Sequence, residues 1–160
     1  MSMVRMANQR GFTLIEILIT FAIFAITASL VGVTLIHPQT SASLNATVDA
    51  LLVDIKNQQT KAMSGDSEGT AAAAAYGIYF QTNNYTLFRG DTYPPGDPDN
   101  FLVETDPVTI STTLPSSQLD FQKLSGEPVG YVAGSNTITV SNAGESKTIT
   151  INRLGALTVN

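Results

Sequence analysis

The sequence predicts an α+β protein. A long N-terminal α-helix, apolar in its first half and amphipathic in its second, packs on an antiparallel β-sheet or β-sandwich. Three observations carry this. The 25 residues from Phe12 to Ile36 contain a single charge, Glu16. Beyond them, Leu44, Val48, Leu51, Leu52, Ile55, Gln59 and Ala62 recur at the spacing of one helical face. After residue 75 the chain breaks into short alternating segments between Pro, Gly and Asn turns. At 160 residues, this is one folded domain plus the apolar helix.

Taken in order, residues 1–11 carry Arg5 and Arg10 and no acid. The run from residue 12 to 36 rises roughly 37 Å as a helix, against a hydrocarbon core of about 30 Å, so it is expected to cross a bilayer once. The positive-inside rule leaves the N-terminus cytoplasmic and the C-terminal domain outside. An ordinary secretory signal fits poorly. Its apolar core is about 7–15 residues and ends at an A-x-A-like site, whereas Ala22, Ala25 and Ala28 fall three apart. A plain signal anchor explains the length but leaves Glu16 as an acid of no purpose, and such an acid is costly in lipid.

His37-Pro38 marks an expected break or kink, with residues 37–64 an amphipathic helix that Gly65 ends. His37 reads as a boundary residue, not a ligand. Residues 64–75 form a linker whose alanine run suits helix or strand equally. Tyr76–Phe80 and Tyr85–Phe88 flank Thr82-Asn83-Asn84 as a β-hairpin. Phe101–Glu104, Val108–Ile110 and Leu119–Gln122 read as short strands, with Leu119 and Phe121 on one face. Thr137–Val140 and Thr148–Ile151 form a second hairpin around Asn142-Ala143-Gly144-Glu145, and residues 155–159 close the sheet. That makes about seven strands in a β-rich domain spanning 65–160.

Composition excludes much. No cysteine means neither disulfides nor thiol chemistry. With one histidine, no nucleophile elbow and no phosphate loop, nothing assembles a catalytic constellation, and no enzyme activity is expected. After residue 37, six basic residues face twelve acids, a net charge of −6, and such a domain is a poor general binder of nucleic acid. The loop Asp91–Asn100 gathers Asp91, Asp97, Asp99 and Asn100, with Asp106 beyond it, as hard oxygen donors of the kind calcium uses, but at no EF-hand spacing. No other cofactor is indicated.

Gly11-Phe12-Thr13-Leu14-Ile15-Glu16, behind a short basic leader and ahead of a long apolar helix, resembles the processing signal of type IV pilins and type II secretion pseudopilins. The resemblance implies that residues 1–11 are a leader removed by a prepilin peptidase. The cut falls between Gly11 and Phe12, and Phe12 is then N-methylated. It implies that Glu16 is the assembly contact, meeting the N-terminal ammonium of a neighbouring subunit. A buried carboxylate is tolerable when a cation meets it, and cleavage creates one. The implied partners are the peptidase, other pilin or pseudopilin subunits, the inner-membrane assembly platform, and membrane lipid before assembly. The implied destination is an extracellular filament or periplasmic pseudopilus. Phe121, a turn near Gly126, the threonine-rich hairpin and Ile149–Gly155 resemble the GspH/FimT group of minor pilins, some of which take up DNA through C-terminal arginines. Here that region offers only Lys147 and Arg153.

Overall fold

The computed structural model describes residues 12–34, 36–67 and 72–160, and leaves out the side chains of 30–39. Arg5, Arg10 and Gly11, the side chain of His37 and residues 68–71 of the linker therefore lie outside the described residues. The chain divides into two compact units, Met1–Gln39 and Thr40–Asn160.

In the first unit, helix α1 runs from Leu14 to Thr34. Every side chain described there, from Phe12 to Ser29, is exposed, and apolar residues occupy all sides of the helix. A helix of that kind is suited to burial on every side, in lipid or among other helices. Its hydroxyls are already satisfied: Thr20 Oγ1 donates to the Ile17 carbonyl at 2.8 Å and Ser29 Oγ to Ile26 at 2.8 Å. Thr27 Oγ1 likewise donates to Ile23 at 3.0 Å. Such back-bonding removes the penalty a free hydroxyl would suffer away from water. Among the described residues no helix is long and apolar enough to cross a membrane. The stretch of α1 with described side chains, 14–29, rises only about 24 Å, and the expected span needs residues 30–36 as well.

Helix α2 runs from Ile36 to Ser64. Pro38 lies within helix α2, and Leu35, between the two helices, lies outside the described residues. In the second unit the predicted stripe faces the core: Leu44, Val48, Leu51, Ile55, Gln59 and Ala62 are buried and Leu52 is half-buried. Asp49, Lys56 and Asn57 stay exposed.

Among the described residues eight strands follow, in two antiparallel four-stranded sheets. The first has the order β3-β2-β1-β5: β1 Tyr76–Phe80, β2 Asn84–Arg89, β3 Phe101–Glu104 and β5 Gln118–Phe121. The second has the order β4-β6-β7-β8: β4 Thr109–Thr112, β6 Thr137–Asn142, β7 Glu145–Ile151 and β8 Leu157–Val159. Both sheets send alternate residues to one core with the α2 stripe: Ile78, Phe80 and Tyr85 with Leu119 and Phe121 from the first, Ile110, Ile138, Val140, Ile149 and Ile151 from the second. Leu119 and Phe121 do share a face, opposite Ile78 and Tyr76.

The β6–β7 connection is tighter than a four-residue turn. Asn142 and Glu145 pair, leaving Ala143 and Gly144 at φ 47° and 91°, the two-residue form that matches strand twist. Within the alanine run, Ala72–Ala75 form neither helix nor strand. Ala73–Ala75 lead into β1 as irregular chain, with Ala75 buried and its carbonyl accepting from Gly90 N at 2.9 Å.

Candidate functional site

The sequence places its sharpest functional signal in the first unit. Thr13 precedes α1 and caps it, its Oγ1 accepting from Glu16 N at 3.3 Å and its carbonyl from the same N–H at 3.1 Å and from Ile17 N at 3.3 Å. Threonine at the N-cap with glutamate three residues on is the arrangement of a capping box. Glu16 therefore sits in the first turn, where the helix dipole favours a negative charge. Sequence reading valued the Gly-Phe-Thr-Leu-Ile-Glu spacing for cleavage and missed that the same Thr and Glu also start the helix. Phe12, immediately before the cap, is exposed.

The other candidates lie in the second unit. Asp91, Asp97, Asp99 and Asn100 line one cleft of about 270 Å³, together with Arg89, Lys123 and Ala73–Ala75. Asp97 Oδ1 accepts from Asp99 N at 2.9 Å, and Asn100 Nδ2 donates to the Pro94 carbonyl at 2.7 Å. These are the local bonds of a self-supporting turn. Among the described residues no group of three or more His, Cys, Asp or Glu side chains is arranged to hold a metal ion. The cleft already contains two cationic side chains to offset its carboxylates.

This loop has another structural task, carried by a residue that sequence reading did not single out. Tyr93 stacks on Tyr79 with centroids 4.3 Å apart and meets Phe88 edge-on at 5.6 Å. It thereby folds the loop onto the face of the first sheet that points away from α2. An aromatic four residues after a strand's end is the sequence cue for this.

Lys147 and Arg153 do not form one patch. Lys147 pairs with Val140 near the start of β7, half-buried at the rim of the core-facing side. Arg153 is exposed in the turn after the strand's other end. Four residues of strand alone put about 13 Å between position 147 and the strand's last residue.

Two buried glutamines complete the second unit's polar framework. Gln58 Nε2 donates to the carbonyls of Gly77 at 2.9 Å and Phe88 at 3.4 Å, fixing α2 to the first sheet. Gln59 Nε2 donates to Gly126 at 2.9 Å and Leu154 at 3.2 Å, while Lys56 Nζ supports its Oε1 at 3.1 Å and reaches the Gly155 carbonyl at 3.3 Å. Gly126 and Gly155, far apart in sequence, thus converge on one amide. Tyr85 donates to Asp54 Oδ2 at 2.6 Å. Burial, then that carboxylate, pushes the Tyr85 hydroxyl above the usual tyrosine range, so it remains a donor.

Asp120 is 6% exposed, opposite Gly77 across the β1–β5 pair. Its Oδ2 accepts from Gln118 Nε2 at 2.7 Å and its Oδ1 has no partner. Burial pushes its carboxyl up to about 6; Gln118 opposes the shift and Asp91 adds to it. The folded chain thus binds this proton more tightly than the unfolded chain, so folding stability falls as pH rises from about 3.8 to about 6 and is level above that. The loss is on the order of 2–3 kcal/mol. Urea unfolding of wild type and Asp120→Asn at pH 4 and pH 8 is expected to show the variant gaining that amount relative to wild type at the higher pH. Equal pH dependence in the two proteins would contradict this account.

The family model of the prokaryotic N-terminal methylation motif matches residues 6–32. No curated protein and no solved structure matches the chain. The chain carries a type IV pilin-like N-terminal signal, on a protein whose long helix and antiparallel sheets agree with a pilin-like architecture.

Proposed function

We propose that this protein is a structural subunit of a type IV pilus-like filament or pseudopilus. A prepilin peptidase cuts between Gly11 and Phe12, Phe12 is N-methylated, and residues 12–36 hold the chain in the cytoplasmic membrane, with its β-rich domain outside, until assembly. The observation that carries this reading is the pairing of the methylation signal with Glu16 in the first turn of a helix that is apolar on all sides. In lipid a lone carboxylate costs about 2.5–3.5 kcal/mol at full depth. In a bundle of such helices, a neighbour's N-terminal ammonium offsets it. The satisfied hydroxyls of Thr20, Thr27 and Ser29 suit either setting.

Intact-mass and N-terminal peptide analysis tests this directly, on membranes and on sheared surface material from the source cells. The expected result is a chain beginning at methylated Phe12 in the filament fraction. Gly11→Leu is expected to remove that mature mass while the precursor accumulates in membranes, because the peptidase must accommodate the residue before the cut. An unprocessed N-terminus in wild type would leave a signal-anchored domain and discard the filament reading.

A further inference from the structure

The face of the first sheet that points away from α2 carries an acid that the fold leaves half satisfied. Register puts Phe88, Gly77 and Asp120 in one row across β2, β1 and β5, and Thr86, Tyr79 and Gln118 in the next. All but Tyr79 and Gln118 are buried. The 91–100 loop lies over this face, with Tyr93 stacked on Tyr79 at 4.3 Å and edge-on to Phe88 at 5.6 Å. Gly77 leaves the space beneath. A Cβ there would stand 2.5 Å from Phe88 Cζ and 2.6 Å from Asp120 Oδ1. The ring that supports Tyr93 and the Asp120 carboxyl group therefore border one gap.

Gln118 Nε2 donates to Asp120 Oδ2 at 2.7 Å, and the buried Oδ1 has no partner among the described residues. Such a group is tolerated as the neutral acid, whereas its ionised form demands water or a cation. The charge that acts on it is Asp91, at the loop's root, and it acts against ionisation. Other titratable groups stand on the elements around it. The loop also brings Asp97, Asp99 and Tyr93, β1 brings Tyr79, and β3 brings Glu104 to the same face. The segment after β5 holds Lys123, Glu127 and Tyr131. Arg89 and Lys123 line the cleft of Asp91, Asp97 and Asp99.

We propose that Asp120 is a proton-operated latch for the 91–100 loop: the neutral acid lets the loop close on Tyr79 and Phe88, and the ionised acid lifts it and bares those rings. Lifting lets water reach Oδ1 and carries Asp91 away, so the lifted form ionises more readily. The closed form holds its proton up to about pH 6, and the lifted form releases it near the ordinary 3.8. Closure is therefore strongest below pH 3.8, weakens as pH rises to about 6, and is level above that. The separation of the two values sets a ceiling of about a hundredfold on this weakening. The latch uses the second unit alone and stands whether or not the chain forms filaments.

Amide hydrogen exchange on the full chain in detergent micelles tests it. Gly90 N donates to the Ala75 carbonyl at 2.9 Å, and the Asp97, Asp99 and Asn100 amides bond within the loop. A loop that has left the sheet keeps only the bonds of a lone turn, which protect little. With intrinsic rates divided out, these amides are expected to exchange up to about a hundredfold faster at pH 7 than at pH 4. Dilute urea should leave them unchanged while it speeds the buried amides of Leu51 and Ile55, which global unfolding frees. Asp120→Asn should keep the loop amides slow at both pH values. Tyr93→Ala, with no ring to seat the loop, should make them fast at both. No pH effect in wild type would overturn the proposal, as would the same effect in Asp120→Asn or slow exchange at pH 4 in Tyr93→Ala. So would loop amides that follow Leu51 and Ile55 in urea, since the loop would then open only as the whole unit unfolds.

Discussion

Glu16→Ala is expected to leave membrane insertion and processing intact and to reduce the mature protein in sheared filaments by at least about tenfold, the factor that 1.4 kcal/mol represents. Removing the carboxylate makes the apolar helix easier to hold in lipid, so the membrane form gains stability. The assembled form loses whatever Glu16 receives from a neighbour's N-terminal ammonium. The capping arrangement makes the test sharper. Thr13 Oγ1 accepts from the backbone N–H of residue 16, which any side chain at that position preserves. Loss of the Thr13 half of the cap therefore cannot explain a failure to assemble, and the glutamine variant keeps a capping-box side chain at position 16 as well. Glu16→Gln keeps side-chain length and hydrogen bonding but not charge, so it is expected to assemble as poorly as alanine, with Glu16→Asp between wild type and alanine. Normal recovery of Glu16→Gln in filaments would mean that the acid acts by hydrogen bonding and not by charge. Normal recovery of Glu16→Ala would remove Glu16 from assembly altogether.

Much of this was legible in the sequence because the signals were periodic. The stripe from Leu44 to Ala62 is buried almost residue for residue, since a helix against a sheet has one way to hide apolar groups at that spacing. The hairpins at 76–89 and 137–151 were read from alternation, and they pair in register. The features missed are those that no local pattern encodes. Gln58 lies outside the predicted stripe, yet it is buried because two strand carbonyls, 19 and 30 residues away, accept from it. Tyr93 read as part of a solvated loop, yet its ring has Tyr79 and Phe88 to stack on. The turn near Gly126 and the stretch ending at Gly155 were noticed for their resemblance, but nothing local shows that both backbones converge on Gln59. The site divides in the same way. Phe12, Thr13 and Glu16 stand within five residues and could be read together. The junction at Gln59 draws on three separate segments, α2 and the turns at Gly126 and Leu154, and is visible only once they are folded.

The convergence on Gln59 yields the largest stability effect expected in the outer domain. Gly155 has φ 77°, where an L side chain is strained, and a Cβ there would strike the Gln59 amide. Gly155→Ala therefore incurs about 1 kcal/mol of backbone strain. It also displaces an amide on which the buried carbonyl of Gly126 relies, at about 1–3 kcal/mol for a buried group left without a partner. The sum, about 2–4 kcal/mol, is a large part of the 5–15 kcal/mol that holds a typical domain together. Gly144→Ala is the control: φ is 91° but nothing lies within 4 Å of the added carbon, so only the strain applies. Measured by urea unfolding, Gly155→Ala is expected to cost at least twice as much as Gly144→Ala. If the collision with Gln59 is the cause, the two sites must couple. In a Gln59→Ala background the amide is already gone, and Gly155→Ala should then cost little more than Gly144→Ala does. Equal costs for Gly155→Ala in both backgrounds would show that the glycine is needed for its turn alone and that Gln59 does not join the two loops.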